Sequence, residues 1–415
     1  MRSQVRGRIG WRTAIVMVAA AALLVRLLII AHSRGGEDLR IYTYFARLGL
    51  HGHNPFAAPA GGAFPAAKGD NPPVEIALFA GLLALHDSPT TLRVLFALAD
   101  AAVLLVLGLC FRRPQRWRMW FVVFYAFNPF VLVAWTGFAE DKTLVFLGIV
   151  ILLLGLERGR EWLSWTAAIV VTALKFIGAF ALPVLAVYSF RRHRWRALVP
   201  VGAFVVCFGA SYLLWFPKSV DTLTRRNGWL NVNPPIHASP TMLLARLGIY
   251  APFEARLFTA VALLAVFAWF AARRINVEEA VVWSVFAGSV FLPNNSFSRI
   301  LLFTLPFIFI VEMSTWRWVA LWVVSTAAGV GAAVATRGVP HIVGFIAGPL
   351  HTIFAHEATI RHVLWVNAPL ALLLAFYCID RTHHLRGSPA DASTLRADSS
   401  DTSGSDSPDR RLPVA

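Results

Sequence analysis

The sequence predicts an all-α integral membrane protein of about 12 transmembrane or half-membrane helices, with a long outer loop after the first helix. Three observations carry that expectation. Of 415 residues, 57% are hydrophobic and only 14% are charged, well below the roughly 25% charge of soluble domains. Apolar runs of about 17–25 residues, the length that crosses a bilayer, recur along the chain. Short arginine clusters separate them and alternate with arginine-poor connections, the bias that marks cytoplasmic loops.

The first run, 11–31, follows Arg2, Arg6, Arg8 and Arg12. Its length, the presence of Arg26 and the lack of a small-residue cleavage site make it a retained first helix and not a signal peptide. Residues 32–73 form the long outer loop. The next apolar stretch, 74–86, is about 13 residues long, too short to span, and reads as a juxtamembrane helix. Further spans are expected near 90–111, 119–138, 143–156, 163–175, 177–190, 199–216, 254–272, 279–293, 299–314, 317–336 and 361–379. The members of the pair at 163–190 are short because basic clusters flank the stretch on both sides. Two short helices meeting near Lys175 to Gly178 satisfy both clusters. An even number of spans returns the C-terminus to the cytoplasm with the N-terminus. Residues 1–379 then form one polytopic domain, with juxtamembrane helices in its outer segment 32–89, and 380–415 a cytoplasmic tail. From about residue 387 Ser, Asp, Pro, Arg and Gly dominate, and disorder is expected.

The net charge of +16 is scattered between apolar runs instead of gathered on one domain, so it reads as topology and not as a nucleic-acid footprint. Membrane lipids are the partners it implies. Cys110, Cys207 and Cys378 have no metal or disulfide spacing and read as small buried hydrophobes. The 15 tryptophans fit interfacial belts. There is no glycine-rich nucleotide loop and no repeat of fixed period. No cofactor and no metal ligands are expected, although a divalent metal is not excluded.

Polar residues gather on the outer side. Glu37 and Asp38 follow the first span directly, which sets them at the membrane surface, where a base can act on a group held by a lipid. Glu140 and Asp141, followed by Lys142, lie at the outer end of the third span, so two carboxylate pairs from separate helices can face one cleft. Lys218, Arg225, Arg226 and His237 lie in the loop 217–240, and Arg299 follows Asn294 and Asn295 on the same side. Cationic donors opposite carboxylates suit an anionic leaving group such as a phosphate. Single outer-loop charges are usually solvated; it is their convergence on one face that makes these candidates. Within the spans Arg26, Asp100 and Lys175 are costly, since a charge at the bilayer centre is disfavoured by roughly 2.5–3.5 kcal/mol or more. Arg26 is expected to snorkel and Asp100 to pair with Arg93 or another helix, with structural and functional roles both open.

Several short motifs, in order, resemble the GT-C superfamily of polytopic glycosyltransferases, and within it the bacterial mannosyltransferase-like branch that uses polyprenyl-phosphate mannose. After the first span come Asp38 and, four residues on, Tyr42, then a helix at 45–50 and the turn Gly52-His53-Asn54-Pro55-Phe56. Asn71-Pro72-Pro73 stands where many members have Tyr-Pro-Pro. Asn128-Pro129, Asp141, and Lys175 followed by Pro183 and an arginine cluster look like the family's middle section. The likeness covers residues 11–200; beyond that only hydropathy agrees. It implies direct, inverting displacement at the anomeric carbon of a lipid-linked sugar, with transfer to a lipid or cell-envelope glycan acceptor outside the cytoplasmic membrane. Asp38 would be the general base, with Glu37 beside it, since an ordinary aspartate pKa of about 3.9 leaves the carboxylate ionised at neutral pH. Tyr42, Asn54, Asp141 and Lys175 would bind substrate. Lys218, Arg225, Arg226, Arg299 and His237 would face the departing phosphate. A lipid-linked donor needs no nucleotide loop.

Two other readings stand beside it. A secondary transporter of a small polar or anionic solute would use Asp100, Lys175 and Pro183 at the midplane of broken helices, usually in two related halves; no half-repeat is visible. A catalytically inactive assembly partner would keep its cellular role without Asp38.

Overall fold

The computed structural model of the protein describes residues 2–59, 61–64, 71–137, 139–224, 248, 252–272, 274–290, 314–335 and 360–386, and every regular element among them is helical. The first helix, α1 (Arg2–His32), is followed after four residues by α2 (Glu37–Leu50). A 3₁₀ turn, Pro55–Ala57, precedes α3 (Pro73–Leu85) and α4 (Pro89–Leu105), which continues as a π turn to Cys110. Then come α5 (Gln115–Phe127), α6 (Lys142–Glu157), α7 (Glu161–Leu174) and α8 (Leu182–His193). The remaining helices are α9 (Leu198–Ser211), α10 (Lys218–Thr224), α11 (Pro252–Ala271), α12 (Val277–Val290), α13 (Thr315–Ala335) and α14 (Ile360–Arg386).

The all-helical class is as the composition implies. Among the described residues, two helices are long and apolar enough to cross a bilayer unaided, Gly10–His32 and Pro89–Cys110. Several other expected spans are shortened or broken, for local reasons. The stretch 119–138 is interrupted at Asn128-Pro129, because proline removes an amide donor and clashes with the preceding turn. Asn128 caps the restart: its Oδ1 accepts from Phe130 N at 3.0 Å while its Nδ2 donates to Ser325 on α13 at 2.7 Å. The pair expected at 163–190 appears as α7 and α8, joined through Lys175 and a 3₁₀ turn, Phe176–Ala181. The expected span 299–314 and the tail from 387 lie outside the described residues.

The described residues of the segment after α1 are largely helical. Glu37 and Asp38 occupy the first turn of α2, where acidic side chains complement the helix dipole. Leu39, Tyr42, Thr43 and Ala46 recur at helical spacing on its buried face. They pack on Phe79 and Leu83 of α3 and Leu92 and Phe96 of α4. A second small cluster joins Phe45, Phe56, Phe64 and Ile76, with Trp215 against it. Beneath lies the main core, drawn from α1, α4 to α8 and α11 to α14, with Phe121, Tyr125, Phe146 and Trp318 at its centre.

Contacts between turns define two ends of the bundle. Arg112 N donates to Glu157 at 2.8 Å, His193 meets Glu161 at 2.8 Å, Arg116 donates to Thr315 at 2.7 Å, and Arg317 pairs with Asp380. The Arg118 guanidinium lies 4.1 Å above the Trp11 ring. The arginine-rich turns therefore share one end with the beginning of α1 and the later part of α14. The C-terminal end of α1, α2, α3 and the α7–α8 break lie at the other end.

Inside the bundle one expectation is corrected and another is decided. Arg26 does not snorkel: it is fully buried, its Nε donates to Asp100 Oδ2 at 2.8 Å, and its terminal nitrogens meet the carbonyls of Ala22, Tyr125 and Ala126. Asp100 pairs with another helix, one of its two expected alternatives: its partner is Arg26 of α1, while Arg93 lies toward the helix end and donates to the carbonyls of Ile30 and Ser33. The cysteines also differ from their buried expectation: Cys207 and Cys378 are exposed and Cys110 is partly so, on helices whose outer faces are apolar and have no need to turn a thiol inward.

Candidate functional site

Four elements converge at the end of the bundle opposite the arginine-rich turns. The first turn of α2 supplies Asp38, and the next turn supplies Tyr42. Asn71 and Glu75 stand at the start of α3, where Pro72 and Pro73 fix the helix entry. Glu140, Asp141 and Lys142 form the turn into α6. Lys175 lies where α7 stops, in extended backbone with φ −156°, which frees its side chain from the helix face.

The two ammonium groups organise the carboxylates. Lys142 Nζ lies 2.5 Å from Glu140, 2.8 Å from Asp141 Oδ1 and 3.5 Å from Asp38, and it donates to the Tyr42 hydroxyl at 3.2 Å. Lys175 Nζ lies 2.5 Å from Asp141 Oδ2, 2.8 Å from Asn71 Oδ1 and 3.5 Å from Glu75. Asp141 thus bridges both lysines. The two nitrogens also stand 5.9 and 5.6 Å from the Tyr42 ring centroid, a cation–π distance on each count.

Burial divides these groups. The side chains of Asp141 and Glu75 are 0% and 2% exposed, Glu140 13% and Asp38 28%. Burial pushes the Glu75 carboxyl up well above its ordinary range, against the opposing pull of Lys175, and the negative charge of Asp141 adds to the rise. Burial also acts to raise Asp141, but Lys142 and Lys175 together outweigh it and hold that carboxyl well below its ordinary range. Glu75 and Asp141 are therefore pushed in opposite directions, as happens when two carboxyls share one site. The Tyr42 phenol is pushed up by burial and then by the surrounding carboxylates, so it stays protonated.

Asp38, Tyr42, Asp141 and Lys175 are thus brought together. Glu37, one residue earlier in the same turn, is exposed. Asn54 serves the fold with both ends of its amide: Oδ1 accepts from Phe56 N at 3.0 Å and Nδ2 donates to the Trp215 carbonyl at 3.2 Å. Lys218 is about half exposed and lies 3.3 Å from Asp221 on its own helix. Arg225, Arg226, His237 and Arg299 lie outside the described residues. Glu75 and Asn71 were not among the sequence candidates. The signal for Glu75 was a lone carboxylate in the apolar run 74–86. Among the described residues, no group of three or more His, Cys, Asp or Glu is placed to hold a metal ion; the carboxylates here are met by lysine nitrogens.

The model of glycosyltransferase family 87 matches residues 71–293, more than half of the chain. The chain belongs to glycosyltransferase family 87. The match begins at Asn71 and so takes in Glu75, Asp141, Lys142 and Lys175, while Asp38 and Tyr42 precede it. No curated protein matches the chain. As a family 87 member this is a membrane glycosyltransferase of the GT-C type, which acts on a sugar donor and an acceptor; the transporter reading is not favoured.

Proposed function

We propose that the protein moves a sugar, mannose by preference, from a polyprenyl-phosphate carrier to a lipid or envelope-glycan acceptor at the outer face of the cytoplasmic membrane. Asp38 is the general base. The observation that carries this assignment is its accessibility: of the four carboxylates around Lys142 and Lys175, it has the most exposed side chain, in the first turn after the first span.

The Asp38 carboxylate takes the proton of the acceptor hydroxyl as the acceptor oxygen bonds to the anomeric carbon. The bond from that carbon to the carrier phosphate breaks, its electron pair leaves with the polyprenyl phosphate, and configuration inverts. Lys142 holds Asp38 from behind, Asp141 fixes Lys142, and Tyr42 sets the wall between the two lysines. Glu37 is a second, more exposed carboxylate in the same turn. Lys218, Arg225, Arg226, His237 and Arg299 are the candidates to stabilise the departing phosphate. No cofactor takes part in this scheme; both chain ends lie in the cytoplasm, and the tail from residue 387 is dispensable for transfer.

The test is direct. Purified protein in proteoliposomes receives polyprenyl-phosphate mannose labelled in the sugar, together with a native lipid extract. Label in a new lipid or glycan product supports the reading. Transfer from a nucleotide sugar, with none from any polyprenyl-phosphate sugar, would overturn it.

A further inference from the structure

A second polar site lies at the opposite end of the molecule. From Lys175 the chain passes through the 3₁₀ turn of 6 residues and the 12 residues of α8 to His193. That helical path is about 30 Å long, the thickness of a hydrocarbon core. Where it ends, Tyr188, Arg191 and Arg192 of α8 face Phe270, at the end of α11, and Ile275 and Val277, at the start of α12. Together they line a cavity of about 410 Å³.

Both arginines are held in place. The Arg191 guanidinium lies 4.8 Å from the Phe270 ring centroid, and its terminal nitrogens donate to the carbonyls of Phe270 and Ala271 at 3.4 and 3.1 Å. Arg192 donates to the Tyr188 hydroxyl at 3.0 Å. None of these acceptors is a carboxylate. The nearby Glu161 is taken by His193 and Ser189 instead. The cavity therefore has a positive wall, an apolar floor and donors to spare, because a guanidinium carries five N–H groups. Phe190, Trp195 and Leu198, close in sequence to the two arginines, are exposed, as side chains against acyl chains would be.

We propose that this cavity binds the phosphate headgroup of an anionic phospholipid in the leaflet at the arginine-rich end. A pair of planar guanidinium groups suits phosphodiester oxygens, and the apolar lining of Phe270, Ile275 and Val277 suits the chains that follow. The site is separate from the transfer chemistry and does not depend on which sugar is moved.

The experiment uses the whole protein in neutral detergent at physiological salt, with thermal unfolding followed by tryptophan fluorescence. Phosphatidylglycerol, phosphatidylcholine and inorganic phosphate are titrated separately. A saturable rise in Tm is expected with phosphatidylglycerol alone. Arg192→Gln weakens its apparent affinity roughly tenfold, whereas Arg196→Gln, outside the cavity but on the same basic turn, weakens it about twofold or less, since it loses only a screened charge and no direct donor to the headgroup. Equal losses in the two variants would reduce the effect to general charge attraction and overturn the site. Saturation by inorganic phosphate at the same concentrations would overturn the lipid assignment, and saturation by phosphatidylcholine would overturn the role of the charge. Should Arg192→Gln fail to fold, Val277→Trp fills the cavity without changing charge and is expected to abolish the same Tm rise; an unchanged rise contradicts the proposal.

Discussion

Replacing Asp100 by leucine removes the countercharge of Arg26 in the middle of the bundle. The two side chains are 0% and 1% exposed and 2.8 Å apart, so water cannot take over the lost interaction. Arg26 keeps the carbonyls of Ala22, Tyr125 and Ala126, but breaking a buried pair on one side costs about 3–5 kcal/mol. Tyr125, which donates to Asp100 Oδ1 at 2.6 Å, loses its acceptor, which adds about 1–2 kcal/mol. The Asp100→Leu protein is therefore expected to be less stable by about 4–7 kcal/mol. Arg26→Leu with Asp100→Leu removes both charges but leaves the Tyr125 hydroxyl and the carbonyls of Tyr125 and Ala126 without their partners, so the double variant is expected to lose less than the sum of the two single variants. Reversible unfolding in mixed micelles, run as a double-mutant cycle, measures both. A single-variant loss below about 1 kcal/mol, or a double variant as damaged as the sum of the singles, would refute the claim that this pair locks α1 to α4. The lock matters for the outer site because α2 begins only four residues after α1 ends.

The Glu75 and Asp141 carboxyls have opposite pH consequences. Asp141, held below its ordinary range, contributes stability that is present above that range and is lost as pH falls through its lowered value; Glu75, raised, contributes stability that is full in acid and is lost as pH rises through its raised value. Glu75→Gln keeps the neutral form, so its Tm is expected to fall less on the alkaline side than the wild type's; parallel alkaline limbs would contradict this. Gly329→Ala places a methyl 2.5 Å from the backbone of Phe130, where no side chain can yield, and is expected to cost about 1–3 kcal/mol; unchanged unfolding would show that α13 moves freely there. Asn54→Ala removes a cap and the tie to Trp215 and is expected to cost about 1–2 kcal/mol in the same unfolding assay, with a smaller fraction of it lost in Asn54→Asp, which keeps the cap.

Much of this was legible in local sequence. Glu37 and Asp38 follow the first apolar run after a short polar and glycine link, which keeps them near its end. Lys175 between two short runs announces a break, and the break is there. The arginine clusters at 112–118, 157–160 and 191–196 share one end, as their spacing implies. Long-range pairing was not legible. Nothing in a linear pattern tells that Arg26 meets Asp100, 74 residues away, instead of rising to the interface, or that Asp141 sits between two lysines from different helices. Glu75 was hidden for a related reason: a single carboxylate in an apolar helix reads as an exception until Lys175 is seen beside it. Asn54 was visible as part of a motif, but sequence could not separate a residue that holds a turn from one that holds a substrate.

The central claim is that Asp38 takes the acceptor proton. The most direct measurement is transfer from labelled polyprenyl-phosphate mannose by Asp38→Asn, beside Glu37→Gln and the wild type, with each protein's unfolding profile recorded in parallel. The account predicts a correctly folded Asp38→Asn protein whose transfer rate falls by at least about 100-fold, the scale of general-base catalysis, and a Glu37→Gln protein that retains most of its activity. A folded Asp38→Asn protein that turns over at the wild-type rate would contradict it.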